Sequence, residues 1–363
     1  MKRLRIAVDG RPALWNTMGI GTVAYNFIKL IQSIDKNNIY KFYFDRYPSK
    51  IEKYIDKNDF EFCTIKDKFI WTNIYMSAKI ISGNFDIFIT FLDKGIPLIL
   101  YKTKSICLIC DLIPLLYTNF NFKSPLHRLY YKYAMNYTIK KADKILTISN
   151  SSKIDIVNSY AIDERKVCII TLGSNLPKVL SANNVLIKYD VSKKYILGFG
   201  STEPRKNNIR LIKAFNLIRY EFKDVLLVIV GKLWENNTFD DFIINEQIIL
   251  TGFVSDEDIP HFYKNAKLVV YPSLYEGFGL PVLDAMTCGV PVITSSVSSL
   301  PEVGGDAVRY VNPLSISEIA QAMREFLTDV EICDEYSNKG LVQSSHFKWE
   351  KMSEQVVDVC SNM

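Results

Sequence analysis

Residues 267–296, KLVVYPSLYEGFGLPVLDAMTCGVPVITSS, carry the clearest indication of the fold. It begins with a short β-branched run that ends at Tyr271–Ser273, and it continues as a loop punctuated by glycines. A helix is predicted to start near Leu280, and a second β-branched run, VPVITSS (290–296), closes the stretch. A strand, a crossover helix and another strand in this order are typical of a parallel sheet.

The same alternation extends in both directions along the chain, with helical stretches such as 21–34 and 124–142 between the runs. The strand-like runs are LRIAVD (4–9), YKFYF (40–44), FDIFITF (85–91), SICLIC (105–110), KILTIS (144–149), VCIIT (167–171), YILGFGS (195–201), VLLVIVG (225–231), QIILTG (247–252), KLVVYPS (267–273) and VPVITSS (290–296). This pattern predicts an α/β protein with two doubly wound domains, a polar linker at 174–194 and a helical tail from Ser315.

Length and composition agree with this organisation. A chain of 363 residues with 48% hydrophobic and 23% charged residues is a globular protein long enough for two domains. The apolar stretch 225–231 is far shorter than the roughly 20 residues of a membrane span. Asp9 interrupts the first apolar run, so no secretory signal is predicted. We therefore expect a soluble, cytoplasmic protein.

Cysteine and histidine usage argues against a disulfide framework or a zinc site. The seven cysteines are irregularly spaced, and the three histidines are scattered. Cys107 and Cys110 form a CxxC, but they lie in an apolar run that we interpret as a buried strand. We expect no metal in this protein.

Charge is divided unevenly along the chain. Residues 1–180 hold 27 Lys and Arg against 15 Asp and Glu, whereas residues 181–363 hold 17 against 24. A basic first half suggests an anionic partner, either a nucleic acid or a phosphate-bearing lipid at the cytoplasmic leaflet. The alternative is uneven lysine usage on an ordinary soluble surface.

Open parallel sheets bind ligands outside the carboxyl ends of their strands, and loops of two facing domains would line one cleft. After the first strand, Gly19-x-Gly21-x-x-Ala24 leads into a helix with the spacing of a dinucleotide fingerprint. Nine residues separate Asp9 from Gly19, however, whereas a true fingerprint follows its strand almost at once. We interpret the segment as a glycine loop near a phosphate or sugar; a helix-capping turn and a nicotinamide site are the alternatives.

Two candidate ligand-binding groups occur in the second half. Arg205 and Lys206 follow a predicted strand end at the start of a helix, which favours an anion site over a solvated basic turn. Glu276 lies in the loop before the next helix, and Asp284 lies about one turn inside that helix. Either carboxylate alone is typical of a helix cap, but together they are suited to binding a polyhydroxylated group.

These motifs resemble those of the retaining family-four glycosyltransferases along nearly the whole chain. The matching segments are the Gly19–Gly21 loop, CDLIPLLY (110–117), ADKILTISNSSK (142–153), VCIITLGSN (167–175), GSTEPRKNN (200–208), LTGFVSDEDIPHFYKNAKLVVYPSLYEGFGLP (250–281) and PEVGGDA (301–307). The resemblance implies the GT-B fold, two Rossmann-like domains facing across a cleft. We expect an acceptor-side domain at 1–175, a donor domain at 176–345, and a helix at 346–363 that packs back toward the first domain.

The resemblance also implies residue roles. Arg205 and Lys206 would bind the donor diphosphate, and Glu276 the hydroxyls of the donor sugar. Asp111 would orient the acceptor or the oxocarbenium-like sugar. The other implied donor contacts are Gly19 and Gly21 beside the diphosphate, Phe253 at the nucleobase, Phe278, Gly279 and Leu280 at sugar and phosphate, and Asp284 at the ribose.

The chain departs from the family pattern at two positions. Asp284 stands where the family often has Glu, so its reach toward the ribose is one methylene shorter. Cys110 precedes Asp111 where the family commonly has His, and a thiol is a poor hydrogen-bond donor. Sugar preference or activity is therefore expected to differ from that of relatives with His.

The implied function is transfer of a hexose, first of all mannose from GDP-mannose, to a saccharide acceptor with retention and without metal or cofactor. The implied acceptor is linked to polyprenyl diphosphate, as in O-antigen or capsule synthesis, and no nucleic acid is involved. The protein would be peripheral on the inner face of the cytoplasmic membrane, where residues 117–141 rest on lipid headgroups or form an ordinary helix. The alternatives are a non-catalytic subunit that binds nucleotide sugar and a nicotinamide dehydrogenase.

Overall fold

The structure, a computed structural model, describes residues 2–15, 19–116, 124–176, 185–201, 203–231 and 245–363. It divides into two compact units. The first unit consists of Met1–Gly173 and Lys348–Met363, and the second unit of Ser174–Phe347. The chain therefore passes from one unit to the other after Gly173 and again after Phe347.

A seven-stranded parallel sheet is the framework of the first unit. Its strands are β1 (Arg5–Asp9), β2 (Ile39–Phe44), β3 (Phe60–Phe62), β4 (Ile87–Thr90), β5 (Lys104–Leu108), β6 (Lys144–Thr147) and β7 (Val167–Ile169). They lie in the order β3-β2-β1-β4-β5-β6-β7, with parallel neighbours throughout. The order reverses between β1 and β4, which is the switch point of a doubly wound sheet.

Helices connect the strands of the first unit. They are α1 (Ile20–Ile34), α2 (Lys68–Ile70), α3 (Met76–Gly83), α4 (Ile113–Leu116), α5 (Pro125–Lys141) and α6 (Asn150–Tyr160), with a π-helical turn, Trp71–Tyr75, between α2 and α3. Val23, Phe27 and Ile31 of α1 are buried at the spacing of one helix face, as expected for a crossover helix on a sheet.

The second unit contains a six-stranded parallel sheet. Its strands are β8 (Lys194–Phe199), β9 (Val225–Val230), β10 (Ile248–Gly252), β11 (Leu268–Tyr271), β12 (Val292–Ser295) and β13 (Arg309–Val311), in the order β10-β9-β8-β11-β12-β13. All six residues of β9 are buried, as is typical of a parallel strand covered on both faces. The switch point lies between β8 and β11, so the loops after these two strands are neighbours.

Seven helices complete the described part of the fold from residue 203 onward. They are α7 (Asn208–Ile218), α8 (Ile259–Asn265), α9 (Leu280–Thr287), α10 (Leu300–Gly304), α11 (Ile316–Thr328), α12 (Val330–Ser344) and α13 (Trp349–Ser361). The last of these belongs to the first unit, where it packs against α1. The two parallel sheets and the helical tail confirm the predicted α/β fold class.

All eleven predicted strands are present, with bounds within two residues of those expected. The sequence pattern missed β3 and β13, which have three residues each and lie at the edges of their sheets. Half-exposed strands of this length are too short to show a periodicity. The strand β5 ends at Leu108, so Cys107 lies inside it and Cys110 just beyond it.

Several predicted segments fall partly outside the described residues. These are 177–184 of the predicted linker, 117–123 of the aromatic and basic segment 117–141, residues 16–18 before Gly19, and Thr202. The described end of the linker forms a 3-10 turn, Val185–Tyr189, before β8. Among the described residues, none of the helices is both long enough and apolar enough to cross a membrane.

Candidate functional site

The switch point of the second unit brings two loops together. After β8 the chain forms a 3-10 turn, Pro204–Lys206, and after β11 it forms a loop that ends where α9 begins. The backbone N–H of Leu274 donates to the carbonyl oxygen of Arg205 at 2.7 Å. Asn207, in the left-handed conformation with φ of 62°, donates through its side-chain amide to the carbonyl oxygens of Pro272 at 2.9 Å and Pro313 at 2.6 Å. These bonds fix the register of the loops.

Arg205, Lys206 and Glu276 meet between these loops. One guanidinium nitrogen of Arg205, Nη1, lies 2.9 Å from Glu276 Oε1, and Lys206 Nζ lies 2.8 Å from the same oxygen. Glu276 is 6% exposed. Arg205 also pairs through Nε with the half-exposed Glu203. The structure thus joins the three residues that the sequence singled out from segments 70 positions apart.

Two hydroxyl groups that the sequence analysis did not predict complete the contacts of Glu276. Tyr271 Oη donates to Glu276 Oε1 at 2.7 Å, and Ser273 Oγ donates to the same oxygen at 2.6 Å. Lys206 Nζ in turn donates to Tyr271 Oη. Both residues end the predicted run KLVVYPS, and polar side chains at the carboxyl end of a strand next to the switch point are the signal that identifies them.

The charged groups of this cluster shift one another's pKa values. Burial alone would raise the pKa of Glu276, but the charges of Lys206 and Arg205 outweigh it, and the pKa lies below its ordinary value. Burial lowers the pKa of Lys206, and the Glu276 carboxylate opposes that shift. Burial would also lower the pKa of Arg205, yet Glu276 and Glu203 raise it. Two cations meet on one buried carboxylate, and the second counter-ion, Glu203, is half-exposed, so an incoming anion can take its place on Arg205.

Serines of the next loop hold the backbone around Glu276. The N–H of Glu276 donates to Ser298 Oγ at 2.9 Å. Ser299 Oγ contacts the carbonyl oxygens of Glu276 at 2.9 Å and Phe278 at 2.7 Å. Gly279, with φ of 117°, then turns the chain into α9, and a Cβ there would lie 2.8 Å from Leu300 Cδ2. Only glycine fits this turn without strain.

Asp284 lies one turn into α9 and has a partner of its own. Ser174 Oγ donates to Asp284 Oδ1 at 2.6 Å. The residue as a whole is half-buried. Burial of its carboxyl group raises the pKa of Asp284 to about 7, although the hydrogen bond from Ser174 acts in the opposite direction. The structure therefore shows Asp284 paired with a hydroxyl group, whereas Glu276 is paired with two cations.

The remaining candidates of the second unit flank this site in sequence. Phe278 is buried and packs edge-to-face on Phe347, with ring centroids 5.9 Å apart. Leu280, half-buried, is the first residue of α9. Phe253 follows β10 and is 84% exposed, so its ring is accessible to a planar ligand.

The candidates of the first unit lie at the start of α1 and in the segment after β5. Gly19, with φ of 65°, precedes α1, and Gly21 is buried in its first turn. Asp111 Oδ1 accepts from the N–H of Ile113 at 2.9 Å. Burial raises the pKa of the neighbouring Cys110 thiol well above its ordinary value, and the charges of Asp111 and Asp93 add to this shift. Cys110 is therefore a neutral thiol at physiological pH.

Comparison with known proteins gives a consistent result. The family model described as "Glycosyl transferases group 1" matches residues 187–342. The chain is 33% identical over 240 residues to O-antigen chain mannosyltransferase B of Escherichia coli, covering 63% of this chain and 63% of that protein. It is 30% identical over 269 residues to the serotype-specific mannosyltransferase WbdA of Escherichia coli, covering 70% of this chain and 33% of that protein. The alignments thus span less than two thirds of the length of either relative.

A solved structure shows the same fold. The glycosyltransferase from Rickettsia africae ESF-5 superposes with a TM-score of 0.72 at 18% sequence identity, covering 99% of this chain and 98% of that chain. Together with the two parallel sheets, this similarity confirms the GT-B fold, two Rossmann-like domains in one chain.

Proposed function

We propose that this chain, whose residues 187–342 belong to the glycosyl transferases group 1 family, transfers a hexose from a nucleotide-diphosphate sugar to a saccharide acceptor with retention of configuration. The observation that carries this function is the cluster of Arg205 and Lys206 on Glu276 at the switch point of the second sheet. Cations held in fixed positions stabilise a departing diphosphate without reorganising.

Each residue of the cluster has a role in this chemistry. Arg205 and Lys206 donate charge-assisted hydrogen bonds to the diphosphate, and the half-exposed Glu203 is the counter-ion that the diphosphate replaces. The contacts of Glu276 described above use Oε1, and we assign Oε2 to hydroxyl groups of the donor sugar. We assign the backbone N–H groups at the start of α9 to the same ligand, since such groups attract anions.

The transfer step needs no protein base. The bond between the anomeric carbon and the diphosphate oxygen breaks, and its electron pair stays on that oxygen. The acceptor hydroxyl forms the new bond on the same face of the sugar and gives its proton to the leaving oxygen. Arg205 and Lys206 stabilise the charge that develops on the diphosphate, so this route requires no metal ion. Asp111 orients the acceptor or the developing oxocarbenium-like sugar.

Mannose is the first choice for the transferred sugar. Both relatives described above are named as mannosyltransferases, one of them of the O-antigen chain. This supports GDP-mannose as donor and a lipid-linked saccharide of O-antigen or capsule synthesis as acceptor. The balance of 27 basic against 15 acidic residues in the first 180 supports an acceptor held at an anionic membrane surface.

A panel of nucleotide sugars tests the function. A ligand that binds only the folded protein raises its melting temperature with its affinity. We expect GDP-mannose and GDP to raise it more than UDP-glucose, and we expect the product formed from GDP-mannose to carry an α-linkage by NMR. An inverted linkage would contradict retention. Binding without transfer to any lipid-linked saccharide would favour a non-catalytic subunit, for which Cys110 in place of the family's His is the motivating feature.

A further inference from the structure

A tight turn follows β4 at the switch point of the first sheet. The strand β4 pairs with β1 and ends at Thr90. The N–H of Leu92 donates to Thr90 Oγ1 at 3.2 Å, and the N–H of Gly95 donates to the carbonyl oxygen of Leu92 at 3.1 Å, which closes a β-turn. A Cβ at Gly95 would clash with Thr90 Oγ1, so glycine is required for this close approach. The turn therefore presents its two central residues, Asp93 and Lys94, at a fixed place beside the carboxyl end of β4, where ligands of such sheets bind.

The carboxylate of Asp93 is held by a tyrosine of α5. Tyr131 is buried, and its Oη donates to Asp93 Oδ2 at 2.8 Å. Lys94 Nζ lies 4.0 Å from the centroid of the Tyr131 ring and 4.0 Å from Asp93 Oδ2. The side chains of Asp93 and Lys94 keep 22% and 30% of their surface exposed, respectively. The Asp93 carboxylate is thus fixed in direction and still accessible, whereas Asp9 at the end of the neighbouring β1 is fully buried.

The Asp93 carboxylate also acts on the segment after β5. Burial is the largest cause of the raised pKa values of Cys110 and Tyr131, and the charges of Asp93 and Asp111 add to both shifts. Two carboxylates that act on the same thiol and the same phenol belong to one polar patch at this edge of the sheet. Cys110 stands where the family commonly has His, and a thiol is a poor hydrogen-bond donor. Hydroxyl groups of a ligand therefore need a partner other than Cys110 here.

We propose that Asp93 binds a hydroxyl group of the acceptor sugar, with Tyr131 as the residue that positions its carboxylate. This inference rests on the proposed function, because it names a residue that selects the acceptor of that reaction. Tyr131 uses Asp93 Oδ2, and we assign Oδ1 to the sugar. A carboxylate accepts hydrogen bonds and donates none, so it suits the O–H of a sugar, and its charge strengthens the bond. A site that holds a hydroxyl group in this way discriminates against sugars that lack it.

The test measures transfer from GDP-mannose to the methyl glycosides of mannose, glucose, galactose and N-acetylglucosamine. The glycoside with the lowest KM serves as the probe. Asp93→Asn raises the KM for this glycoside about tenfold or more, because a neutral amide replaces the charged acceptor. The KM for GDP-mannose stays as in the wild type, since the donor contacts are assigned to the second unit. An Asp93→Asn variant that folds normally and keeps the wild-type KM for the glycoside overturns the inference.

The matched control lies at the other end of the same strand. Asp86 immediately precedes β4, its side chain is 29% exposed, and its Oδ1 accepts from Lys2 Nζ at 2.9 Å. Asp86→Asn makes the same chemical change at the amino end of β4 and leaves the KM for the glycoside unchanged.

The variant Tyr131→Phe separates positioning from packing. It removes the hydrogen bond to Asp93 and keeps the ring. The KM for the glycoside rises about fivefold with little change in kcat, and in the Asp93→Asn background the same substitution adds less than twofold. If the bond served only to fasten the turn to α5, both single variants would lower the melting temperature and leave the KM unchanged, which overturns the inference. Should Asp93→Asn fail to fold, Tyr131→Phe alone must raise the KM.

Saturation-transfer NMR with the same glycosides keeps this result separate from the proposed function. A protein that transfers no sugar contradicts the proposed function. It still supports a sugar site at Asp93 if a glycoside that binds the wild type loses its signal in Asp93→Asn and keeps it in Asp86→Asn. Equal signals in the two variants, or a wild type that binds none of the glycosides, overturn the inference.

Discussion

At the switch point of each sheet a buried carboxylate pairs with positively charged side chains. The two sites differ in how many cations share the carboxylate. In the first unit Arg11 binds Asp9 through two bonds, Nε to Oδ1 at 2.9 Å and Nη2 to Oδ2 at 2.7 Å. Both side chains are 5% exposed or less. The guanidinium also donates to Thr72 Oγ1 at 3.0 Å and lies 3.7 Å from the ring centroid of Trp71. One cation meets one anion in a closed contact.

In the second unit, two cations share one carboxylate. The side chains of Arg205 and Lys206 keep 12% and 16% of their surface exposed, and the second counter-ion, Glu203, is half exposed. Burial and ion pairing are therefore common to both clusters. The features that distinguish a binding site are partly exposed cations and a counter-ion that a ligand can replace, whereas a balanced and closed pair serves the architecture.

The largest effect on stability is expected when one charge of the Asp9–Arg11 pair is removed. Asp9→Asn leaves the buried Arg11 without its counter-ion, so the free energy of unfolding falls by about 3–5 kcal/mol. Urea denaturation measures this loss. The double variant Asp9→Leu/Arg11→Met removes both charges and is expected to recover most of the stability. A single variant within about 1 kcal/mol of wild type would show that the pair is not structural.

The next effect concerns activity. Arg205→Ala or Lys206→Ala lowers the rate of transfer by about 100-fold to 1000-fold, because each variant removes a donor aimed at the leaving diphosphate. Stability changes little, since Glu276 keeps one cation in either variant. Steady-state kinetics and melting temperatures check both statements. Lys213→Ala, an exposed cation of α7, is the control that leaves both unchanged.

A third buried carboxyl group, that of Asp284, is paired with the hydroxyl group of Ser174. We expect it to make the stability of the protein depend on pH. Its pKa is raised by burial from 3.8 to about 7 in the folded protein. Between about pH 4 and pH 7 the unfolded chain therefore loses this proton while the folded protein keeps it. Stability falls across this window by up to about 1.4 kcal/mol per pH unit. Urea titrations should show this slope in the wild type and not in Asp284→Asn; identical slopes would refute the assignment.

The smallest effect comes from a single hydroxyl group. Tyr271→Phe removes a hydroxyl donor to Glu276 Oε1 and one partner of Lys206. We expect the free energy of unfolding to fall by about 1 kcal/mol, and the transfer rate to fall about fivefold. The control is Tyr195→Phe in β8, which removes a buried hydroxyl that donates to the carbonyl oxygen of Phe262 at 2.7 Å. Kinetic and melting experiments should show a stability loss in both variants and a rate loss in Tyr271→Phe alone. Equal rates in the two variants would make the Tyr271 hydroxyl merely structural.

The sequence was sufficient to predict the strands of both sheets and the two loops that meet at Glu276. Periodicity located each strand of five or more residues, and the rule that ligands bind at carboxyl ends of strands selected the loops of Arg205 and Glu276. The distances then follow from the pairing of β8 with β11, in which Leu197 lies beside Val269.

The contacts that the sequence did not reveal depend on where side chains point in the folded protein, which the hydrophobic pattern of the sequence does not encode. Whether Tyr271 points toward Glu276 depends on the register of β11, and periodicity does not resolve the last residue of a strand. The closed pair of Arg11 and Asp9 was missed because an Arg two residues after an Asp is equally typical of a solvated turn. Ser174 meets Asp284 across 110 positions of sequence, which no local spacing encodes.

The most direct test of the cation cluster compares a nucleoside with its diphosphate. The ratio of the affinities for GDP and guanosine, measured by calorimetry, isolates the contribution of the phosphates. We predict a large preference for GDP in the wild type and in Lys213→Ala. In Arg205→Ala and in Lys206→Ala the ratio is about tenfold lower or more, and the melting temperature changes little because Glu276 keeps one cation in each. Single variants that fold normally and both keep the wild-type preference would contradict the account, because the diphosphate would then be held by residues other than this pair.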